Sequence, residues 1–362
     1  MKHKIETLSD YIHEYEKSVN DPEKFWGEIA NTFNWRKPYE KVLDWNFDKP
    51  EIKWFVNGKL NITENIFERN LTELGDKPAI IWEPSNPEEA SITLTYQILF
   101  EKTCQLANAM QTHGIKKGDR VVIYMPMVPE AAIAMLACAR IGAIHSIVFA
   151  GFSANALSDR IDDCQAKMVL TSDGNFRGNK AIPVKAVVDD AIENCPFVES
   201  VFVLKRTNVN VTMKSGRDVW WHDAVNKASL HHSAEIMDAE DMLFILYTSG
   251  STGKPKGVVH TTAGYMVYTH YSFVNVFQYT AGDVFWCTAD VGWITGHSYI
   301  VYGPLLAGAT TLMFEGVPTY PHPGRFWEII DKHHVNQFYT APTAIRALQA
   351  FGTSPITPYK LD

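Results

Sequence analysis

Between Tyr247 and Gly257 the chain reads YTSGSTGKPKG, a stretch made of residue types that hold polyphosphates. Thr248, Ser249, Ser251 and Thr252 supply hydroxyls, Gly250, Gly253 and Gly257 leave the backbone open to close approach, and Lys254 and Lys256 bring positive charge. Amides and hydroxyls that converge on anionic oxygens, offset by a lysine, make an anion cradle. The loop is not a Walker A element, because Thr248 stands where that motif needs its first glycine and Pro255 where it needs Ser or Thr. A plain Gly/Ser linker fits poorly, since the apolar run Met242–Tyr247 reads as a buried strand and Val258-Val259 follow on the far side. Lys256 alone is either a phosphate contact or a solvated lysine. Thr261-Thr262 is expected to open a helix whose N-terminus adds positive dipole to the same anion.

Two further stretches could carry chemistry. GWITGHSY sets Trp293 beside Ile294 and Thr295. A broad ring there can floor a pocket that admits a methyl or ethyl group and rejects longer chains; a core tryptophan is the alternative. His297 could act as a base, yet a carboxylate nucleophile is already ionised near neutral pH, so the histidine reads as structural. Phe176-Arg177-Gly178-Asn179-Lys180 is a compact basic loop after a strand, suited to a phosphate or simply an exposed charged turn. The pairs His231-His232 and His333-His334 lack metal-ligand spacing, because adjacent side chains diverge.

Together these stretches resemble the adenylate-forming superfamily of acyl-CoA synthetases, luciferases and peptide-synthetase adenylation domains. The run from Thr288 to Pro318, TADVGWITGHSYIVYGPLLAGATTLMFEGVP, and YTAPTAIRAL from Tyr339 to Leu348 narrow the resemblance to the acetyl-CoA synthetase family. It extends over nearly the whole chain, from about Trp26 onward. The resemblance implies that Thr248, Ser249, Gly250, Ser251, Thr252, Gly253, Lys254 and Gly257 hold the ATP phosphates. It places Trp293, Ile294 and Thr295 at an acetate pocket, and assigns coenzyme A contacts to Gly151, Arg177, Gly178, Asn179, Lys180, Thr295, Thr319 and Ala341. Lys180 stands where Arg is more usual and Thr319 where Asn is frequent, and a lysine meets phosphate as a point charge, not a fork.

The implied activity is ATP-dependent ligation of acetate to coenzyme A through an acetyl-adenylate, with Mg2+ arriving with ATP. The alternatives are a propionate or other short-acyl ligase, and a non-catalytic nucleotide- or CoA-binding fragment. The resemblance further implies an aromatic-rich extension over 1–65 and an AMP-binding large domain over 66–362, an α/β fold of mostly parallel sheets flanked by helices and incomplete at its C-terminus. The lid domain with its catalytic lysine is expected to be absent, and no catalytic residue or metal ligand is expected in this stretch.

Composition agrees with a globular enzyme. With 362 residues, 46% hydrophobic and 20% charged, the chain can bury a large α/β core. A net charge of −8 argues against nucleic acid as a partner and leaves small molecules. The polar start MKHKIETLSDYIHEYEK has no signal-peptide core, and Arg140, Gly142 and His145 interrupt the apolar stretch 131–152, which suggests helix, turn and strand and no membrane span. The 5 cysteines, Cys104, Cys138, Cys164, Cys195 and Cys287, include no CxxC, which points to a reducing cytoplasm and away from disulfides or zinc.

These elements need a scaffold. Residues 1–65 read as a short helix and an irregular wrap that docks its aromatics on the body. From Leu94 onward, strands expected at 120–125, 144–149, 167–171, 200–205 and 242–247 alternate with helices at 129–141, 153–164 and 183–194. That alternation predicts a mostly parallel sheet covered on both faces. The loops Gly151-Phe152-Ser153, Ser172–Lys180 and the one after Tyr247 then share its carboxyl edge.

Overall fold

A computed structural model describes residues 5–248 and 254–361. The β-branched segments assemble into two main sheets. The larger runs in the order Asp218–Trp220, Ser200–Leu204, Met168–Ser172, Arg120–Tyr124, Ile144–Ile147, Met242–Thr248, Lys256–Thr261. All its neighbours are parallel except the last pair, a hairpin in which Thr248 faces Lys256 and Met242 faces Thr261. The smaller runs Val335–Tyr339, Val284–Cys287, Thr310–Phe314, Pro78–Glu83, Ile92–Thr95, again parallel up to an antiparallel edge.

The helix Pro129–Ile141 is buried at every position except Glu130, as an apolar helix without a polar face must be. Proline opens it and Gly142, at φ 71°, closes it, after which the chain returns as the strand Ile144–Ile147. The stretch 131–152 is therefore helix, turn and strand. Among the described residues no helix is long and apolar enough to cross a membrane. Tyr96, Leu99, Thr103, Leu106 and Met110 form the buried stripe of the helix Tyr96–Thr112. Ser153 caps the helix Ala154–Cys164, its hydroxyl accepting from the Ala156 amide at 3.3 Å.

Two expectations are corrected. The N-terminal segment is no irregular wrap: helices Leu8–Asn20 and Pro22–Ala30 lead into an antiparallel hairpin, Lys41–Asn46 with Glu51–Val56. Most of its aromatics dock on the body, with Trp26 meeting Trp54 at 6.3 Å and Tyr271 at 5.6 Å and Phe33 meeting His270 at 5.0 Å. Trp45 and Phe47, beside the turn, stay 56% and 76% exposed. Lys41, Asp44 and Lys53 broke the alternation by which a strand is recognised.

The second correction concerns the dipole. The helix Thr262–Val276 begins where expected, but the strand Lys256–Thr261 separates it from the loop. Six residues at a rise of about 3.3 Å place that N-terminus roughly 20 Å from the loop. Its first turn is held instead by the Asp241 carbonyl, which accepts from the Thr262 amide at 3.0 Å and hydroxyl at 2.8 Å. A terminal dipole fades within a turn, so this one does not serve the loop.

Candidate active site between two sheet edges

Ligand loops of an open parallel sheet gather at its carboxyl edge. Here two such edges meet. The larger sheet contributes 148–153 and 173–180; the smaller contributes 288–296, 315–320 and 340–341. A cavity of about 420 Å³ lies between them, with Phe149, Gly151, Arg177, Asp290, Glu315 and Val317 on its wall. A neighbouring cavity of about 240 Å³ is lined by Thr288, Gly316, Pro318 and Ala341.

Within the expected phosphate loop, Ser249, Gly250, Ser251, Thr252 and Gly253 lie outside the described residues. Thr248 and Lys254, which flank them, are exposed. Gly257 is part of the hairpin, paired with Tyr247. A Cβ there would come within 2.9 Å of the Ile245 side chain and 3.2 Å of the Tyr247 ring, so cross-strand packing already accounts for the glycine. Tyr247 is fixed in turn. Its hydroxyl donates to Asp163 at 2.6 Å, and Arg160 stacks on both its ring (5.6 Å) and that of Phe152 (4.9 Å). The strand entering the loop is thus tied to the loop after Ile144–Ile147.

The basic loop is a β-hairpin, Gly174–Arg177 with Lys180–Pro183, turned by Gly178 at φ 63° and Asn179. Arg177 pairs directly with Lys180, and both are exposed. Directly opposed residues share a face with Cβ atoms about 5 Å apart, where like charges repel unless an anion joins them. Gly178 is anchored by the Ser85 hydroxyl, which donates to its carbonyl at 3.2 Å. A Cβ on Gly178 would lie 3.3 Å from the Tyr320 ring, so the hairpin tip abuts the segment carrying exposed Thr319. Beneath the hairpin, Arg206 lies 4.8 Å from the Phe176 ring and 5.0 Å from Trp82, and pairs with Glu315 at 2.6 Å and Glu89 at 2.8 Å.

The turn 290–296 presents Trp293, Ile294 and Thr295. Trp293 is 50% exposed and its ring sits 6.4 Å from both Phe149 and Phe152. It is therefore not a core tryptophan. Gly151 follows Phe149 so closely that any Cβ would strike that ring. Ile294 is 40% exposed and faces a different hollow, of about 460 Å³, with Trp26, Trp54 and Tyr265. The structure thus joins Gly151 and Arg177 around one cavity, sets Trp293 against Phe149 and Phe152 of its wall, places Ala341 in the adjoining cavity, and turns Ile294 aside. His297 is buried, its Nδ1 donating to the Trp293 carbonyl at 3.1 Å, and burial lowers its pKa to about 4. A neutral ring that orients Trp293 agrees with the structural reading.

Sequence reasoning passed over Asp290. Its Oδ1 accepts from the Gly292 amide at 2.7 Å, and its carbonyl accepts from the Trp293 amide at 3.1 Å. A Cβ on Gly296 would collide with that carbonyl. Asp290 keeps some exposure to the cavity, yet enough protein surrounds it that burial pushes its carboxyl up to about 6. The Asp-x-Gly pattern of 290–292 was the available signal, since Asp readily turns onto an amide two residues on. Among the described residues no group of three or more His, Cys, Asp or Glu is arranged to hold a metal.

With the fold and the cleft between its sheets in place, the sequence can be set beside known families. Residues 67–360 match the family described as AMP-binding enzyme, and the chain belongs to it. Residues 11–66 match the one described as acetyl-coenzyme A synthetase N-terminus. The chain is 55% identical over 347 residues to an acetyl-coenzyme A synthetase of Syntrophobacter fumaroxidans, covering 96% of this chain and 53% of the relative. It is 56% identical over 351 residues to one of Mesorhizobium japonicum (96% and 54%) and 55% identical over 348 to acetyl-coenzyme A synthetase 2 of Pseudomonas aeruginosa (96% and 54%). The chain spans about half the length of the curated relatives it matches.

Proposed function

We propose that this chain forms the nucleotide- and CoA-facing half of an acetate–CoA ligase. The observation that carries the reading is the opposed pair Arg177 and Lys180, two exposed like charges fixed side by side at the rim of the cleft whose wall includes Phe149, the neighbour of Trp293. In this reading acetate attacks the α-phosphorus of Mg-ATP, an O–P bond forms and pyrophosphate leaves. The CoA thiolate then attacks the acyl carbon and AMP leaves. Thr248, Ser249, Gly250, Ser251, Thr252, Gly253 and Lys254 hold the β- and γ-phosphates, Arg177 and Lys180 meet the phosphate end of CoA, and Trp293 bounds the acyl group. Mg2+ enters as part of the nucleotide substrate. The protein's contribution is placement and charge compensation. We further propose that the chain divides near residue 66 and works in the cytoplasm.

Acetate-dependent ATP–pyrophosphate exchange by the full-length protein tests the reading, and its absence with folded protein and Mg2+ would defeat it. A side-by-side comparison of acetate with propionate decides the acyl group, since one methylene changes selectivity only ~10–200-fold. Propionate preferred tenfold or more would replace acetate. The 362-residue chain by itself is expected to show no turnover.

A further inference from the structure

The smaller sheet has a second cavity at its other rim. It measures about 650 Å³ and is walled by Pro78, Val284 and Thr310, which begin three parallel strands whose far ends reach the cleft. Strands of this length put roughly 15 Å between the two sites. Three basic side chains face this hollow: Arg69, Lys77 and His270. His270 is only 2% exposed, and neither ring nitrogen has a hydrogen-bond partner among the described residues. Nη1 of Arg69 is also buried and has no partner among the described residues, and its guanidinium lies 5.0 Å from the face of Phe33. Burial alone depresses the Arg69 pKa, with no carboxylate offsetting it among the described residues. Glu73 stands at the exposed rim. Buried polar groups are almost always hydrogen-bonded, so two idle ones on one wall ask for a ligand. The rest of the wall is mixed, with Asn70, Tyr279 and Thr310 beside the apolar Leu74, Ile81 and Leu306.

We propose that this cavity binds a small organic anion, its carboxylate or phosphate oxygens held by Arg69 and His270 and its apolar body set against Leu74, Ile81 and Leu306. The volume suits such a molecule. His270 meets it as a neutral donor, because burial first and Arg69 second hold its pKa down at about 3. Phe33, under the guanidinium and 5.0 Å from the His270 ring, makes the site sensitive to the N-terminal segment as well.

The test is titration of this chain with inorganic phosphate and, separately, with hexanoate, read by calorimetry and by the ring nitrogen signals of His270. Saturable binding that moves those signals is expected. Tighter hexanoate identifies an organic acid and tighter phosphate a phosphate ester. Arg69→Gln should weaken binding about tenfold or more, as loss of a charge-assisted bond does, and Arg69→Lys should restore part of it. Lys77→Glu at the exposed rim leaves the core untouched and should weaken binding several-fold, which keeps the test decisive if the Arg69 variant fails to fold. No saturable binding up to about 10 mM, where even a weak site fills, would overturn the proposal. So would binding that leaves His270 unmoved, or that Lys77→Glu does not weaken.

Discussion

Asp290→Asn should stabilise the protein at neutral pH while leaving the turn intact. The amide keeps the Oδ1 acceptor for Gly292, so the local hydrogen bond at 2.7 Å survives. What disappears is the cost of a carboxylate in a desolvated place. Its pKa rises from the ordinary 3.8 to about 6, which at 1.36 kcal/mol per unit is worth about 3 kcal/mol. Because Asp290 lines a cavity that water can enter, that figure is a ceiling. The folded form binds the proton more tightly than the unfolded one, so this contribution is fully present below pH 3.8 and is lost as pH rises through about 6. Urea unfolding at pH 4, 5, 6, 7 and 8 follows it directly. Variant and parent should agree within about 0.5 kcal/mol at the acid end. By pH 8 the variant should lead by up to about 3 kcal/mol. A difference that does not change between pH 4 and 8, or a variant weaker at pH 8, would refute the reasoning. Under the proposed function a carboxylate kept in such surroundings is a candidate for use in the reaction, and acetate-dependent ATP–pyrophosphate exchange by the full-length variant tests that role.

Glu83→Gln tests the opposite sign: burial raises this carboxyl, but His333, Lys332 and Arg325 overcome that and bring it to about 2. Its stabilising contribution holds above pH 4.5 and is lost as pH falls toward 2, so the variant, which takes one of the two carboxylate partners of buried Arg325 and leaves it Glu328 at 3.1 Å, should cost about 3 kcal/mol at pH 7 and much less at pH 3 in denaturant melts. Lys254→Ala in the full-length protein should slow adenylation roughly ten- to a hundredfold. Thioester formation from supplied acetyl-adenylate should suffer less, and equal losses in both half-reactions would make the lysine structural. Trp293→Gly should reduce use of acetate and admit longer carboxylates such as pentanoate, because the ring is worth roughly 150–250 Å² of surface; an unchanged chain-length profile would remove Trp293 from the pocket.

The α/β body was legible because burial wrote it twice, in period and in punctuation. Pro129 and Gly142 bracket a helix that has no polar face, and Ser153 announces the next one. The hairpin Lys41–Val56 was not legible, since a ribbon anchored at one end can keep charge on both faces and leave Trp45 and Phe47 in solvent. The order of residues in the phosphate loop suggested a helix dipole behind it, but sequence adjacency hid the antiparallel strand that carries the chain away before the helix begins. The proposed site residues Arg177, Lys180 and Trp293 announced themselves by side-chain type. Asp290 did not, because its distinction is the depth of its surroundings, and these come from both sheets.

The division of charge at the cleft shows how a chain of net charge −8 could present positive charge to the phosphates of the proposed substrates. Arg206 lies beneath the hairpin, but Glu315 and Glu89 both claim it, so it joins the two sheets without adding positive potential. Its bridge runs from the end of Ser200–Leu204 to the end of Thr310–Phe314 and clamps Phe176 on the way. Arg177 and Lys180, on the neighbouring register pair, have no such carboxylates among the described residues and share one exposed face. Neutralising the cation below while leaving two free above concentrates attraction at the hairpin rim. A phosphate arriving there relieves a repulsion already built into the strand pairing, so the anion and the fold favour the same geometry.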